Sequence, residues 1–191
     1  MPGNSVALHK PCPWWAGYLI ASPIRKLWQN PARILEPYLR AGMTVLEPGP
    51  GVGFFTLEIA KLVGPSGRVV AVDAEPRMIK ALKRRARRAG YLDRIDARVV
   101  RPGSMQIADL DEMVDFVLAF AVVHELPSPA AFFFEAARAM KSGANLLLAE
   151  PDGHVGAAEF AEQSETAAGN GLELLYRPSI NHCATALFRK P

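Results

Sequence analysis

The segment Val45-Leu46-Glu47-Pro48-Gly49-Pro50-Gly51-Val52-Gly53-Phe54-Phe55-Thr56 constrains the fold of this chain more than any other stretch. A short apolar run suited to a strand enters a glycine-rich bend and leaves it as the start of a helix. Glycine at 49 and 51 tolerates positive φ and, having no Cβ, lets a ligand approach the backbone. The helix that follows aims its first N–H groups and positive dipole end at the same bend. One acid, Glu47, stands just before the bend, and a second, Asp73, closes the next apolar run, Arg68–Val72. A carboxylate at that second strand tip can accept both hydroxyls of a ribose. The pattern calls for a parallel β–α–β unit that carries a nucleoside-bearing ligand.

The rest of the chain extends that unit. Strands are expected at Thr44–Glu47, Arg68–Val72, Ala97–Arg101, Val114–Ala119 and Ala144–Ala149, alternating with helices. The helices are expected at about Phe54–Val63, Pro76–Ala89, Pro129–Met140 and Val155–Ala168. Gly64-Pro65 and Gly90 stop two of them, and Pro76 suits a first helical turn. Leu172–Tyr176 and Cys183–Arg189 are expected to close the chain as an antiparallel pair. The expected fold class is α/β, a doubly wound, mostly parallel sheet with helices on both faces. At 191 residues the chain has room for one domain with a real core. That domain is placed at 31–191, and residues 1–30, rich in Pro and Trp, form an N-terminal arm or lid.

Two cofactor classes use this strand–bend–helix layout. The dinucleotide fingerprint is G-x-G-x-x-G with an acid about 20 residues further on. Here the third glycine falls one place early, at Gly53. Glu47 discriminates more sharply, because a carboxylate there would repel a pyrophosphate but suits a ligand bearing an ammonium group. The Glu-x-Gly-x-Gly-x-Gly run resembles the first motif of the class I S-adenosylmethionine-dependent methyltransferases, and Asp73 matches that family's ribose-binding acid. The resemblance extends over about residues 31–190 and implies a Rossmann-like, seven-stranded sheet whose last strand is antiparallel. It implies S-adenosylmethionine as cofactor, with Glu47, Gly49 and Gly51 at its amino-acid end and Asp73 at its ribose. Ala74 and Glu75 would line the adenine side, with Met78 over the ring. Gly103, Ser104 and Met105 fall where the family often has an Asp that accepts from the adenine amino group, so this chain departs from the pattern there. Ala119 and Phe120 would lie near the sulfonium.

The family has no universal catalytic residue, since the donor is already activated and much of catalysis can be positioning. His124 and Glu125 follow the fourth strand and are the catalytic candidates; His124 could be a base, or could cap the next helix or fix a loop. Glu150, after the fifth strand, could act in catalysis or pair with the loop backbone or with His124. His154, Trp14 and Trp15 are candidates for the acceptor pocket, the two tryptophans closing it or packing on the sheet edge. Base-methylating members of the family carry Asn/Asp-Pro-Pro-aromatic after strand four, and this chain has Ala121-Val122-Val123-His124. The segment is similar to that of the small-molecule branch named for ubiquinone biosynthesis and arsenite, also grouped as methyltransferase type 11.

Composition narrows the partners. No apolar run approaches the roughly 18 residues that span a bilayer, and no secretion-signal layout opens the chain, so a cytoplasmic protein without membrane insertion is expected. Cys12 and Cys183 lie far apart without metal-like spacing, which predicts a reduced chain and no metal site. Cys12 at the methyl site would suit a soft acceptor such as arsenite or a thiol. The net charge of +3 does not point to nucleic acid. Lys80, Lys83, Arg84, Arg85, Arg87 and Arg88 crowd one helix, which reads as a solvated face with Met78, Ile79, Leu82 and Ala86 turned inward, or as a footprint for RNA or an acidic protein. The leading expectation is methyl transfer to a small-molecule acceptor. The alternatives are an RNA or protein methyltransferase using residues 80–88, and a non-catalytic S-adenosylmethionine-binding regulator.

Overall fold

Runs of Val, Leu, Ile and Ala, bounded by glycine and proline, build seven strands joined into one sheet. The computed structural model describes residues 30–191. The readings at Cys12, Trp14, Trp15 and, apart from Asn30, the 1–30 arm lie outside the described residues. In chain order the elements are α1 (Pro31–Leu35), β1 (Thr44–Pro48), α2 (Thr56–Val63), β2 (Arg68–Asp73), α3 (Pro76–Ala89), β3 (Ile95–Val99), β4 (Val114–Phe120), α4 (Pro129–Ala139), β5 (Met140–Pro151), α5 (Ala157–Gly169), β6 (Glu173–Tyr176) and β7 (Cys183–Arg189), with short 3-10 turns at Leu92–Arg94, Ala108–Leu110 and Val123–Glu125.

The sheet order is β3-β2-β1-β4-β5-β7-β6. Strands β1 to β5 run parallel. Strand β7 slots between β5 and β6 and is antiparallel to both, as the expected seven-stranded fold requires. Chain order reverses between β1 and β4, and a crevice opens beyond the carboxyl ends of the strands at such a switch point. Glu47, Asp73, Phe120 and Glu150 all belong to that edge.

The central strands are apolar on both sides because both faces are covered. Leu46, Val70, Val72 and Val117 join one core with Phe132, Phe133, Ala136, Phe160 and Phe188. Val45, Val69, Ala71, Phe116 and Leu118 join the other with Leu35, Ile59, Val63, Ile79 and Leu82. The two-residue alternation of strands assigns each side chain to its face. Helices α4 and α5 thus cover one side, and α1, α2 and α3 the other.

Local chemistry sets the helix ends. On α3, the Glu75 side chain accepts from the Arg77 N–H at 3.0 Å, Pro76 opens the first turn, and Gly90 closes the helix in the left-handed conformation. Ser128 Oγ accepts from the Ala131 N–H at 3.2 Å at the start of α4. Helix α2 differs: no side chain caps its first turn. It begins at Thr56 rather than at Phe54, because residues 51–55 form consecutive turns. Strand β3 begins and ends two residues before the expected Ala97–Arg101, and β5 is longer at both ends than the expected Ala144–Ala149.

Candidate functional site

The glycine-rich bend between β1 and α2 is held from three sides. The Gly49 N–H donates to the Val72 carbonyl at 2.9 Å, and the Arg85 guanidinium donates to the Val52 carbonyl at 2.6 Å. A Cβ on Gly49 would lie 2.6 Å from Val122 Cγ2, and one on Gly53 would lie 2.4 Å from Leu82 Cδ1. Those two glycines are bare because the protein packs against them. Gly51 is different: it takes φ of 53°, and a Cβ there would meet none of the described residues within 4 Å. It faces open space, as a residue that carries a ligand against its backbone must.

Two carboxylates flank the bend. Glu47 is only 4% exposed, and among the described residues neither its Oε2 nor the neighbouring Thr56 Oγ1 has a hydrogen-bond partner. Burial pushes the Glu47 carboxyl up to about 8; the nearby Thr56 hydroxyl opposes the shift without reaching hydrogen-bond geometry, and the charge of Asp73 adds to it. A buried carboxyl oxygen with no donor costs free energy. An ammonium group delivered to that spot would supply the missing donor and restore the charged form. Asp73 is raised less, to about 6, by burial, with the backbone N–H groups of Glu75 and Gly51 acting against the rise. Its Oδ1 accepts from the Glu75 N–H at 2.9 Å. The uncapped α2 terminus, the bare Gly51, the orphaned Glu47 oxygen and the second carboxylate on the adjacent strand fit the amino-acid and ribose ends of the expected cofactor.

A second group of side chains forms at the ends of β4 and β5. Ala121 takes φ of 53° and donates its N–H to the Ala149 carbonyl at 2.8 Å, turning the chain sharply out of β4. The 3-10 turn Val123–Glu125 then lies over Glu150, which is fully buried. Glu150 Oε1 accepts from the Val123 N–H at 2.7 Å and the His124 N–H at 3.2 Å, and Oε2 lies 2.7 Å from His124 Nδ1. That hydrogen bond raises the imidazole above its ordinary value, burial pulling the other way and the charges of Glu150, Glu125 and Glu159 adding to the rise. His154 is exposed and meets the His124 ring edge-on, with centroids 5.6 Å apart.

Val122 packs on Gly49, and the Glu125 charge reaches Asp73, so the two groups are neighbours. Phe120 is buried with its ring 4.5 Å from that of Phe55. Ala74, Gly103 and Ser104 are exposed, and Ser104 Oγ accepts from the Gln106 N–H at 3.2 Å. Met105 is buried in the core under α4, its N–H donating to Glu135 Oε2 at 2.9 Å. Reading the sequence missed Thr56, Val122, Arg85 and Phe55. Thr56, a polar residue opening an otherwise apolar helix, carried a visible signal; the other three matter only through contacts distant in sequence. Among the described residues no three His, Cys, Asp or Glu side chains converge as a metal would need, and no helix is long and apolar enough to cross a membrane.

Residues 39–178 match the family described as a methyltransferase domain. The chain is 30% identical over 133 residues to the ubiquinone/menaquinone biosynthesis C-methyltransferase of Hahella chejuensis, covering 69% of this chain and 52% of that protein. It is 29% identical over 109 residues to the arsenite methyltransferase of Halobacterium salinarum, covering 57% of this chain and 27% of that protein. It spans about a quarter to a half of the length of the curated relatives it matches. A crystal structure of an S-adenosylmethionine-dependent methyltransferase from Aquifex aeolicus superposes with a TM-score of 0.82 at 24% identity, over 93% of this chain and 98% of that one, a likeness of fold.

Proposed function

This chain belongs to the class I S-adenosylmethionine-dependent methyltransferases, and on that premise we propose that it is an enzyme that methylates a small, partly apolar acceptor. The observation that carries the reading is the buried Glu47 carboxyl, whose Oε2 has no donor among the described residues, at the start of the bend that holds the bare Gly51. S-adenosylmethionine brings an ammonium group for that carboxyl and, on its sulfonium, a methyl group activated for displacement. The residues of this chain have three tasks. Glu47 and the glycine bend hold the amino-acid end, Asp73 holds the ribose, and the turn after Phe120 presents the acceptor. Positioning alone can supply much of the rate, because a bound, aligned nucleophile avoids the entropic cost of encounter.

Two features favour a small acceptor. No base-gripping Asn/Asp-Pro-Pro-aromatic segment follows β4, and a relative matched over 69% of this chain is named for ubiquinone/menaquinone biosynthesis. Replacing Asp73 by Ala should weaken S-adenosylhomocysteine binding by ~1–3 kcal/mol, the loss for hydrogen bonds to a charged group. Unchanged calorimetric affinity would refute the ribose assignment. A second reading rests on the basic stripe that Lys80, Lys83 and Arg87 form along α3. That stripe suits an RNA or acidic-protein acceptor. RNA binding whose affinity falls steeply with salt would favour it.

A further inference from the structure

We propose that His124, oriented by Glu150, is the general base of this site, and that the methyl acceptor therefore presents a weakly acidic hydroxyl or thiol. The inference rests on the cofactor reading above and adds the class of acceptor to it.

Geometry carries the argument. Glu150 is wholly buried, and three N–H groups converge on it: two backbone donors at 2.7 and 3.2 Å on Oε1, and the imidazole at 2.7 Å on Oε2. A carboxylate can only accept, so the Nδ1 position of a neutral His124 carries the proton. The lone pair is then left on Nε2, at the far side of the ring. The two backbone bonds already fix the 3-10 turn to Glu150, so an imidazole is not needed to hold the loop. It is needed to place a basic nitrogen beside the strand ends where the methyl acceptor must sit. Among the described residues, every charged or titratable group facing the ring favours its taking up a proton, except one. Glu150 faces it from β5, Glu125 from its own turn with Oε1 3.9 Å from Nε2, and Glu159 from α5. The exception is His154, edge-on from the loop after β5.

Such a base selects its acceptor. A lone-pair nucleophile such as arsenite needs no base, and an ammonium group loses its proton to water before a methyl step. A phenolic or enolic hydroxyl, or a thiol, attacks well only as its anion. As the O–H or S–H bond breaks, the proton passes to Nε2. The electron pair left behind forms the bond to the methyl carbon, the pair of the breaking C–S bond stays on the donor sulfur, and the imidazolium later releases its proton to solvent.

The test uses the full chain with three readouts on wild type, Glu150→Gln and His124→Gln: calorimetric binding of S-adenosylhomocysteine, the tautomer of His124 by ring-nitrogen NMR, and transfer of tritiated methyl to catechol, benzyl mercaptan and benzylamine, whose reacting groups stay protonated near neutral pH. All three proteins should bind S-adenosylhomocysteine alike. Wild-type His124 should be protonated at Nδ1. Glu150→Gln should reverse that, since an amide can present N–H to Nδ1 and drive the proton to Nε2. Methyl should pass to the catechol or the thiol, with the rate rising with pH through the NMR-measured pKa of His124 and falling ~10²- to 10⁴-fold in each variant. A proton on Nε2 in the wild type, transfer to the amine alone, variants as fast as wild type, or no transfer despite cofactor binding would each overturn the proposal. If the wild type fails to bind S-adenosylhomocysteine, the cofactor reading falls instead.

Discussion

Replacing Glu47 by Gln removes an ionisation that the ligand-free protein disfavours, and the pH dependence of stability measures the consequence. Burial raises this carboxyl from 4.5 to about 8. Its folded-state value lies above its unfolded one, so between those limits the folded chain holds a proton that the unfolded chain has released. Stability therefore falls as pH rises through that window, by about 1.4 kcal/mol per pH unit, and levels off above the folded value. From these two values the penalty is about 1 kcal/mol at pH 5 and about 4 kcal/mol at pH 8. Gln has the same shape and does not titrate. The difference in unfolding free energy between variant and wild type should thus shift by about 3 to 4 kcal/mol in favour of the variant between those pH values. Asp73, raised from 3.8 to about 6 by its own burial, is present in both proteins and largely cancels. Urea denaturation of the ligand-free proteins at pH 5, 6.5 and 8 reads the difference directly. A difference that stays constant across that range would refute the buried, protonated carboxyl on which the proposed cofactor site rests. The same carboxyl must ionise when an ammonium docks. At pH 7, S-adenosylhomocysteine should therefore expel about 0.9 proton from the wild type, visible as a buffer-dependent binding enthalpy, and none from the variant. The variant should also bind it roughly 10- to 150-fold more weakly, the worth of a hydrogen bond to a charged group.

Other perturbations separate site from scaffold. Gly51→Ala should cost only about 1–2 kcal/mol in folding, the strain of a positive φ, because its methyl meets none of the described residues within 4 Å. It should nevertheless weaken S-adenosylhomocysteine at least about tenfold, the effect of ~1.4 kcal/mol of lost contact; retained affinity would show that the open space is not the ligand's. Phe133→Ala, at a fully buried position in the core under α4, should lose about 3–5 kcal/mol in denaturant unfolding, and a loss below 1 kcal/mol would contradict the packing. Reversing charge at Lys83 and Arg87, on the basic stripe of α3, should leave methylation of a small acceptor unchanged at 0.15 M salt, where exposed charges are screened beyond about 8 Å. A fall in that rate would favour the macromolecular reading.

The strand–bend–helix unit was legible because its signals are local. Glycine, proline and acid positions in the 45–73 segment report backbone conformation and ligand chemistry within a few residues of themselves, and α3 took its expected bounds because Pro76 and Gly90 punctuate it. Strand β3 was misjudged for a physical reason. The expected span held Arg98 but left out Ile95 and Asp96; a lone Asp is a poor strand former, yet Arg98 and Arg68 both pair with Asp96 and Arg98 also reaches Asp109, so the polar face of that strand is satisfied by partners outside the local sequence. The start of β5 was missed similarly. Lys141-Ser142-Gly143 reads as a turn, yet Gly143 donates to the Lys190 carbonyl and Lys190 donates to the Ala144 carbonyl, which ties that stretch to β7.

By itself, the sequence determined the kind of ligand: two bare glycines between two acids at successive strand ends leave few chemistries besides a nucleoside with a cationic tail. Tertiary structure alone decided which groups meet. It set β4 beside β1, so that Val122 closes on Gly49, and β5 beside β4, so that a fully buried Glu150 meets His124. Conformational preference depends on a residue's chain neighbours, whereas desolvation and charge depend on what lies across the sheet, and that is written only once the chain has folded.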